Sequence, residues 1–166
     1  REARVAKLTS EIASVSARRR GGKAADKFSV KVLQERLGAG RTLIEFVEID
    51  GVFSAFVVTG KKIKFVRDFA NVTDVASTLE DLHFQFGTLR YGTAGMERFL
   101  GQMKARADKC LTSLYDLVLR PIEKLLEGES LVVVPAGLLH YVPFHALRDG
   151  GQYITGRFEV SYAPSA

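Results

Sequence analysis

The chain has 166 residues, 46% of them hydrophobic and 26% charged, which is the composition of a globular protein with one core of ordinary size. Nowhere does an apolar run approach the ~20 residues that a bilayer-spanning helix needs, and the start, Arg1-Glu2-Ala3-Arg4, lacks the apolar stretch of a secretory signal. The formal net charge is +5, but residues 1–41 hold 11 Lys/Arg against 4 Asp/Glu whereas the remaining 125 hold 13 against 15, so the basicity belongs to the N-terminal arm.

A start without Met points to a chain that begins inside a longer protein. The single Cys110 cannot form an internal disulfide and suits a reducing compartment. A cytoplasmic location is therefore expected.

In chain order, residues 1–20 space Val5, Leu8, Ile12 and Val15 at helical intervals, predicting an amphipathic helix with a narrow apolar seam. So thin a seam is marginal alone and calls for something to pack against. Arg18-Arg19-Arg20-Gly21-Gly22-Lys23 could neutralise phosphates. With no aromatic interleaved to stack on bases, it reads instead as a cationic helix end followed by a linker, and no nucleic-acid partner is expected.

A short helix is predicted over residues 29–37, capped by Ser29 and stopped by Gly38 and Gly40. Residues 42–49 and 52–59 are β-rich runs separated by Asp50-Gly51, the pair that accepts the positive φ angles of a type I′ turn. A third strand over 63–69 completes an antiparallel meander. Glu45 and Glu48, three apart in a strand, point to opposite faces and do not form an acid/base pair. Asn71-Val72-Thr73 matches a glycosylation sequon, but Thr73 is better used as the N-cap of a helix with Asp74 in its first turn. That helix would bury Val75, Leu79, Leu82, Phe86 and Leu89. His83 lies beside this face with no second ligand at metal spacing, so it reads as a helix-edge histidine.

Gly92 and Gly95 punctuate, and a long helix is predicted over 96–119 with the stripe Met96, Phe99/Leu100, Met103, Ala107, Cys110/Leu111, Leu114 and Leu117/Val118. Pro121 ends it. Cys110 falls on the stripe, where a structural thiol is expected, since a nucleophile needs an electropositive, partly exposed setting and a base. Leu131-Val132-Val133-Val134 is an unalternated β-branched run closed by Pro135 and Gly137, the pattern of a parallel strand buried on both faces, and we expect it at the centre of the sheet. An apolar segment over 138–147, a turn at Asp149-Gly150-Gly151 and a second strand over 158–162 follow. His140 and His145 flank the exit of the first of these strands, where sites in open α/β sheets lie. A dyad of either with Cys110 can be drawn, but nothing in the sequence brings the thiol there.

Leu139-His140-Tyr141-Val142-Pro143-Phe144-His145-Ala146-Leu147, preceded by Val134-Pro135-Ala136-Gly137 and followed by Tyr162-Ala163-Pro164-Ser165, resembles the CHAT domain, the caspase-like domain often found behind tetratricopeptide repeats. Leu43-Ile44-Glu45-Phe46 before the hairpin and Leu114-Tyr115-Asp116-Leu117-Val118-Leu119-Arg120-Pro121 stand in the family's order, so the resemblance spans roughly residues 30–166.

It implies a mixed α/β fold with a β-meander edge and flanking helices. Residues 1–28 would be a helix and basic linker from a preceding helical-repeat region, and 29–166 the N-terminal half of the domain. In CHAT peptidases the catalytic histidine and cysteine follow later strands, so this half would carry no catalytic residue, and neither cofactor nor metal. The implied role is a scaffold for a downstream His/Cys dyad that cleaves peptide bonds; the alternative is a regulatory protein–protein interaction module without activity. The implied partners are the downstream catalytic half, the helical-repeat region, and protein substrates or regulators, with no membrane.

Overall fold

The computed structural model describes residues 29–89 and 97–164. The predicted helix over 1–20, the Arg18-Arg19-Arg20 run, Gly92, Gly95 and Met96 lie outside the described residues. The chain divides into two units, residues 1–32 and 33–166; the second carries the fold.

Helix α1 (Val30–Leu37) precedes β1 (Arg41–Ile49), β2 (Val52–Thr59) and β3 (Ile63–Asn71). The β1–β2 hairpin closes through Asp50 and Gly51, with φ of 53° and 77°, the two positive angles of the type I′ geometry whose twist matches that of the flanking strands. Strand β3 runs two residues beyond the predicted 63–69 and passes without a loop into helix α2 (Val72–Leu89). Thr73 therefore lies inside the first turn and is not the N-cap. The residue that precedes the helix is Asn71, whose Nδ2 donates to Asp74 Oδ2 at 3.2 Å, so the local hydrogen bond that holds the start comes from the strand's last residue.

Helix α3 (Glu97–Val118) is followed by a 3-10 turn, Arg120–Leu125, with its proline in the first turn. Pro121 lacks the N–H that an α-helix interior would require, so the separate turn follows directly. Then come β4 (Ser130–Val134), 3-10 turns over Gly137–Tyr141 and Phe144–Ala146, a small hairpin of β5 (Arg148–Asp149) and β6 (Gln152–Tyr153), a turn over Ile154–Gly156, and β7 (Glu159–Tyr162).

The main sheet has the order β3-β2-β1-β4-β7. The β1–β2 and β2–β3 pairs are antiparallel, the β1–β4 and β4–β7 pairs parallel. Strand β4 is flanked by two parallel neighbours as its composition predicts, with Leu131 and Val133 each 1% exposed, a burial that contributes roughly 1.5–3 kcal/mol per side chain. It is the fourth of five strands, not the central one. That place belongs to β1, which has β2 and β3 on one side and β4 and β7 on the other. The β4-to-β7 crossover contains no α-helix; its 3-10 turns bury Leu139, Val142, Phe144, Leu147 and Ile154 instead, so the crossover itself covers the strands it connects.

One sheet face is closed by α2 and α3: Ile44, Phe46, Ala55 and Val57 pack with Val75, Leu79, Leu82, Leu111, Leu114 and Val118. Two expectations for this layer change. Phe86 is 47% exposed, whereas Tyr115, which the predicted stripe omits, is fully buried. The other face is covered only in part, where Leu33 and Leu37 of α1 meet Leu43, Val58, Val132, Val134 and Ala163. Among the described residues no helix is long and apolar enough to cross a membrane.

Candidate functional site at the carboxyl edge of the parallel strands

Because β1, β4 and β7 run parallel, their carboxyl ends share one edge of the sheet, the edge where open α/β sheets carry their sites. Strand β4 leaves it through Pro135-Ala136-Gly137, and β7 through Tyr162-Ala163-Pro164. The Ala163 N–H donates to Val133 O at 3.0 Å, which extends the β4–β7 ladder to the edge. Glu48, near the end of β1, lies against Gly137: a Cβ at Gly137 would collide with the Glu48 carboxylate, so the backbone after β4 comes close to that side chain. Glu45 takes the opposite face, as alternation requires.

His145 belongs to the edge. Its Nδ1 lies 3.2 Å from Tyr162 Oη, with the proton on the ring or on the phenol according to the tautomer. Phe144, buried beside it, places its ring 5.4 Å from Phe46 and 6.3 Å from Tyr162, which anchors the turn on β1 and β7 together. Burial pushes the Tyr162 phenol up from its ordinary value. His140 is exposed at the end of its turn and makes no hydrogen bond or ion pair with any described residue.

Cys110 is half-buried on α3 against the main core. Burial pushes its thiol up, the Asp81 carboxylate adds to that, and Lys109 offsets only part, which is the opposite of the electropositive setting a nucleophilic thiolate requires. Neither histidine is hydrogen-bonded to it. His83 is exposed on α2. Among the described residues no three His, Cys, Asp or Glu side chains gather to hold a metal ion.

The His145–Tyr162 contact escapes sequence reading because the two residues are 17 apart and meet only once β7 pairs with β4. The available signal was weak: both lie at segment ends next to a proline, Pro143 and Pro164.

Asp108 to Tyr162 thus make up a continuous unit of helix, turn, strand, anchored crossover and strand. Residues 108–166 match the family model of the CHAT domain. No curated protein matches the chain. The CHAT match begins inside α3 and takes in β4, the crossover and β7, whereas the meander β1–β3, α1 and α2 lie outside the matched residues, although the resemblance read from the sequence started near residue 30. The C-terminal part of the chain is accordingly similar to the CHAT domain, a family that suggests a caspase-like, protease-related module. The α/β architecture, a five-stranded mixed sheet with flanking helices, is consistent with a caspase-like half-domain.

Proposed function

We propose that this chain is the non-catalytic, scaffolding half of a CHAT-type cysteine peptidase. Its β4–β7 edge would receive the parallel strands of a downstream half that carries the histidine and cysteine. In that chemistry a thiolate attacks the peptide carbonyl and an imidazole takes and returns the proton.

The observation that carries this reading is the parallel triplet β1-β4-β7, in which β7 has a partner on one side only among the described residues. Edge strands present unpaired N–H and C=O groups and are normally covered, paired or blunted by charge. The outer side of β7 is therefore the place where a further parallel strand adds, with its carboxyl end beside Tyr162 and His145. The raised thiol of Cys110 and its lack of a hydrogen-bonded histidine among the described residues support the same division of labour, since neither His140 nor His145 pairs with it.

The test is cleavage of candidate partner proteins by a longer protein that contains this chain together with the segment following it. Cleavage should persist in Cys110→Ala, His140→Ala and His145→Ala and vanish when a downstream histidine or cysteine is changed. Loss of cleavage with Cys110→Ala while all downstream changes are tolerated would move the chemistry into this half and overturn the assignment. The 166 residues alone should hydrolyse no peptide bond.

A further inference from the structure

The sheet face that α1 leaves open holds a cross-strand row whose chemistry is unbalanced. In register, Phe65 of β3 stands opposite Phe56 of β2, Phe56 opposite Glu45 of β1, and Glu45 opposite Val134 of β4. The two phenylalanine rings stack at 4.3 Å between centroids, yet they are 37% and 38% exposed. Ile63, on the same strand and face, is 37% exposed and Ile49, at the end of β1, 53%. Glu45 is half-buried in this row, with no hydrogen bond or ion pair to any described residue. Desolvation alone acts on it and raises its carboxyl. A carboxylate set among aromatic and aliphatic side chains without a partner is destabilising unless a cation arrives with whatever covers the face.

We propose that this face of β1–β3 is a docking surface for a basic amphipathic helix of a partner protein, which lays its apolar stripe over Phe56 and Phe65 and pairs a lysine or arginine within that stripe with Glu45.

Three observations select this occupant. The sheet already accepts a helix on this face, where Leu33 and Leu37 of α1 pack on Leu43 and Val58, and helix on sheet is the ordinary way to close such a layer. Charge comes second: the 125 residues after Arg41 are net acidic, 13 Lys/Arg against 15 Asp/Glu, and among the described residues the cation stacked on the row is Arg67, whose Cζ lies 5.5 Å from the Phe65 centroid. The partner's cation is therefore steered to the Glu45 end and away from the Arg67 end. Thirdly, a second copy of the chain is disfavoured, because a two-fold contact through this face brings Glu45 against Glu45. The surface lies on the meander, away from the β7 edge, so occupancy of one does not require the other.

The experiment titrates the full chain with two synthetic fluorescent helices of about 18 residues, five turns. The first carries one lysine at the centre of a leucine stripe; the control has leucine there. The lysine probe should bind saturably, and Glu45→Gln should weaken it by about tenfold, the lower range for a desolvated charge pair, while changing the control by less than about twofold. Phe56→Ser should weaken both. Glu45→Lys should reverse the preference in favour of a third probe with glutamate at the centre. Equal effects of Glu45→Gln on both probes, or binding indifferent to Phe56→Ser, would overturn the proposal. So would self-association lost in Phe56→Ser, which gives the face to a second copy. A rise in probe affinity on Leu8→Ser/Ile12→Ser would give it to the chain's own N-terminal segment and refute a partner protein. Circular-dichroism melting checks that each variant is folded.

Discussion

Arg157 Nη1 donates to Glu123 Oε1 at 2.9 Å, tying the turn before β7 to the 3-10 turn before β4. The same nitrogen reaches Asp149 Oδ2 at 2.7 Å, and Arg120 Nη2 meets Asp149 Oδ1 at 3.1 Å. Arg148 pairs with Asp108 on α3, which also accepts from Lys104 at 2.6 Å. These ion pairs add to the buried side chains of the crossover by tying its outer loop to α3 through Asp108 and to the 3-10 turn through Arg120 and Glu123.

The first prediction concerns acid. Arg157 holds the Glu123 carboxyl below the usual carboxylate range. A carboxylate whose folded value is depressed contributes stability that is present above its unfolded value and is lost as pH falls through the folded one. Arg157→Ala should lower stability at neutral pH by about 1 kcal/mol, the order for a partly exposed pair, and should flatten the fall of the melting temperature on acidification. Thermal melts from neutral to acidic pH check this; an unchanged slope would show that the pair does not act.

Val133→Asp should prevent folding. Val133 is 1% exposed and pairs with Ile44 on one side and Tyr162 on the other, so the carboxylate would have neither water nor a cation, a penalty of several kcal/mol. A soluble variant that melts cooperatively would contradict the buried parallel strand.

Tyr115 is fully buried beneath the Arg120 guanidinium, with Cζ 5.0 Å from the ring centroid, and its hydroxyl, although the Glu123 carboxylate is nearby, makes no well-formed hydrogen bond with any described residue. Tyr115→Phe should therefore be neutral or stabilising, whereas Tyr115→Ala should cost about 3–5 kcal/mol, as large aromatic truncations do. Burial, then the nearby Glu123 carboxylate, pushes the phenol up to about 12. An acid raised in the folded state contributes stability below its unfolded value of about 10 that is lost as pH rises through the folded one. Stability should accordingly fall from about pH 10, where the unfolded tyrosine ionises, to about 12, where the buried one does, and Tyr115→Phe should remove that fall.

Cys110 should react slowly with thiol reagents at neutral pH, because burial and Asp81 keep it protonated. The rate measured in native buffer should rise to that of a free thiol on denaturation. Rapid native modification would reopen a catalytic reading of this residue.

Features encoded locally were legible in the chain. Asp50-Gly51 specifies its turn by φ alone, Pro121 ends α3 by lacking an N–H, and the apolar run 131–134 announces a strand between parallel neighbours, although Val132 on the α1 face is only half-buried. Pairings between distant segments were not. Nothing in residues 41–49 says that β1 will lie parallel to β4, and that pairing is what moves β4 off the centre and sets Glu45 in one row with Phe56 and Val134. Phe86, expected to be buried, is exposed: helical spacing gives a face of α2 but not how deeply each residue on it is covered.

The junction that makes β1 and β4 neighbours gives the last prediction. Glu129 and Ser130 N–H groups both donate to Gly40 O, at 3.0 and 3.3 Å, so the chain entering β4 lies directly on the chain entering β1. Gly128, with φ of 79°, packs so closely there that a Cβ would overlap the backbone of Gly40. Gly150 shares a positive φ, 63°, but a Cβ there meets nothing within 4 Å. Gly150→Ala should therefore cost only the left-handed backbone term, about 1–2 kcal/mol. Gly128→Ala adds the displacement of a backbone segment and should cost clearly more, with loss of the Gly40 hydrogen bonds. Chemical denaturation of the two variants measures the difference, and amide exchange of Glu129 and Ser130 locates it. Equal destabilisation, with both amides still protected in Gly128→Ala, would mean that the close β1–β4 entry is not a constraint on the fold.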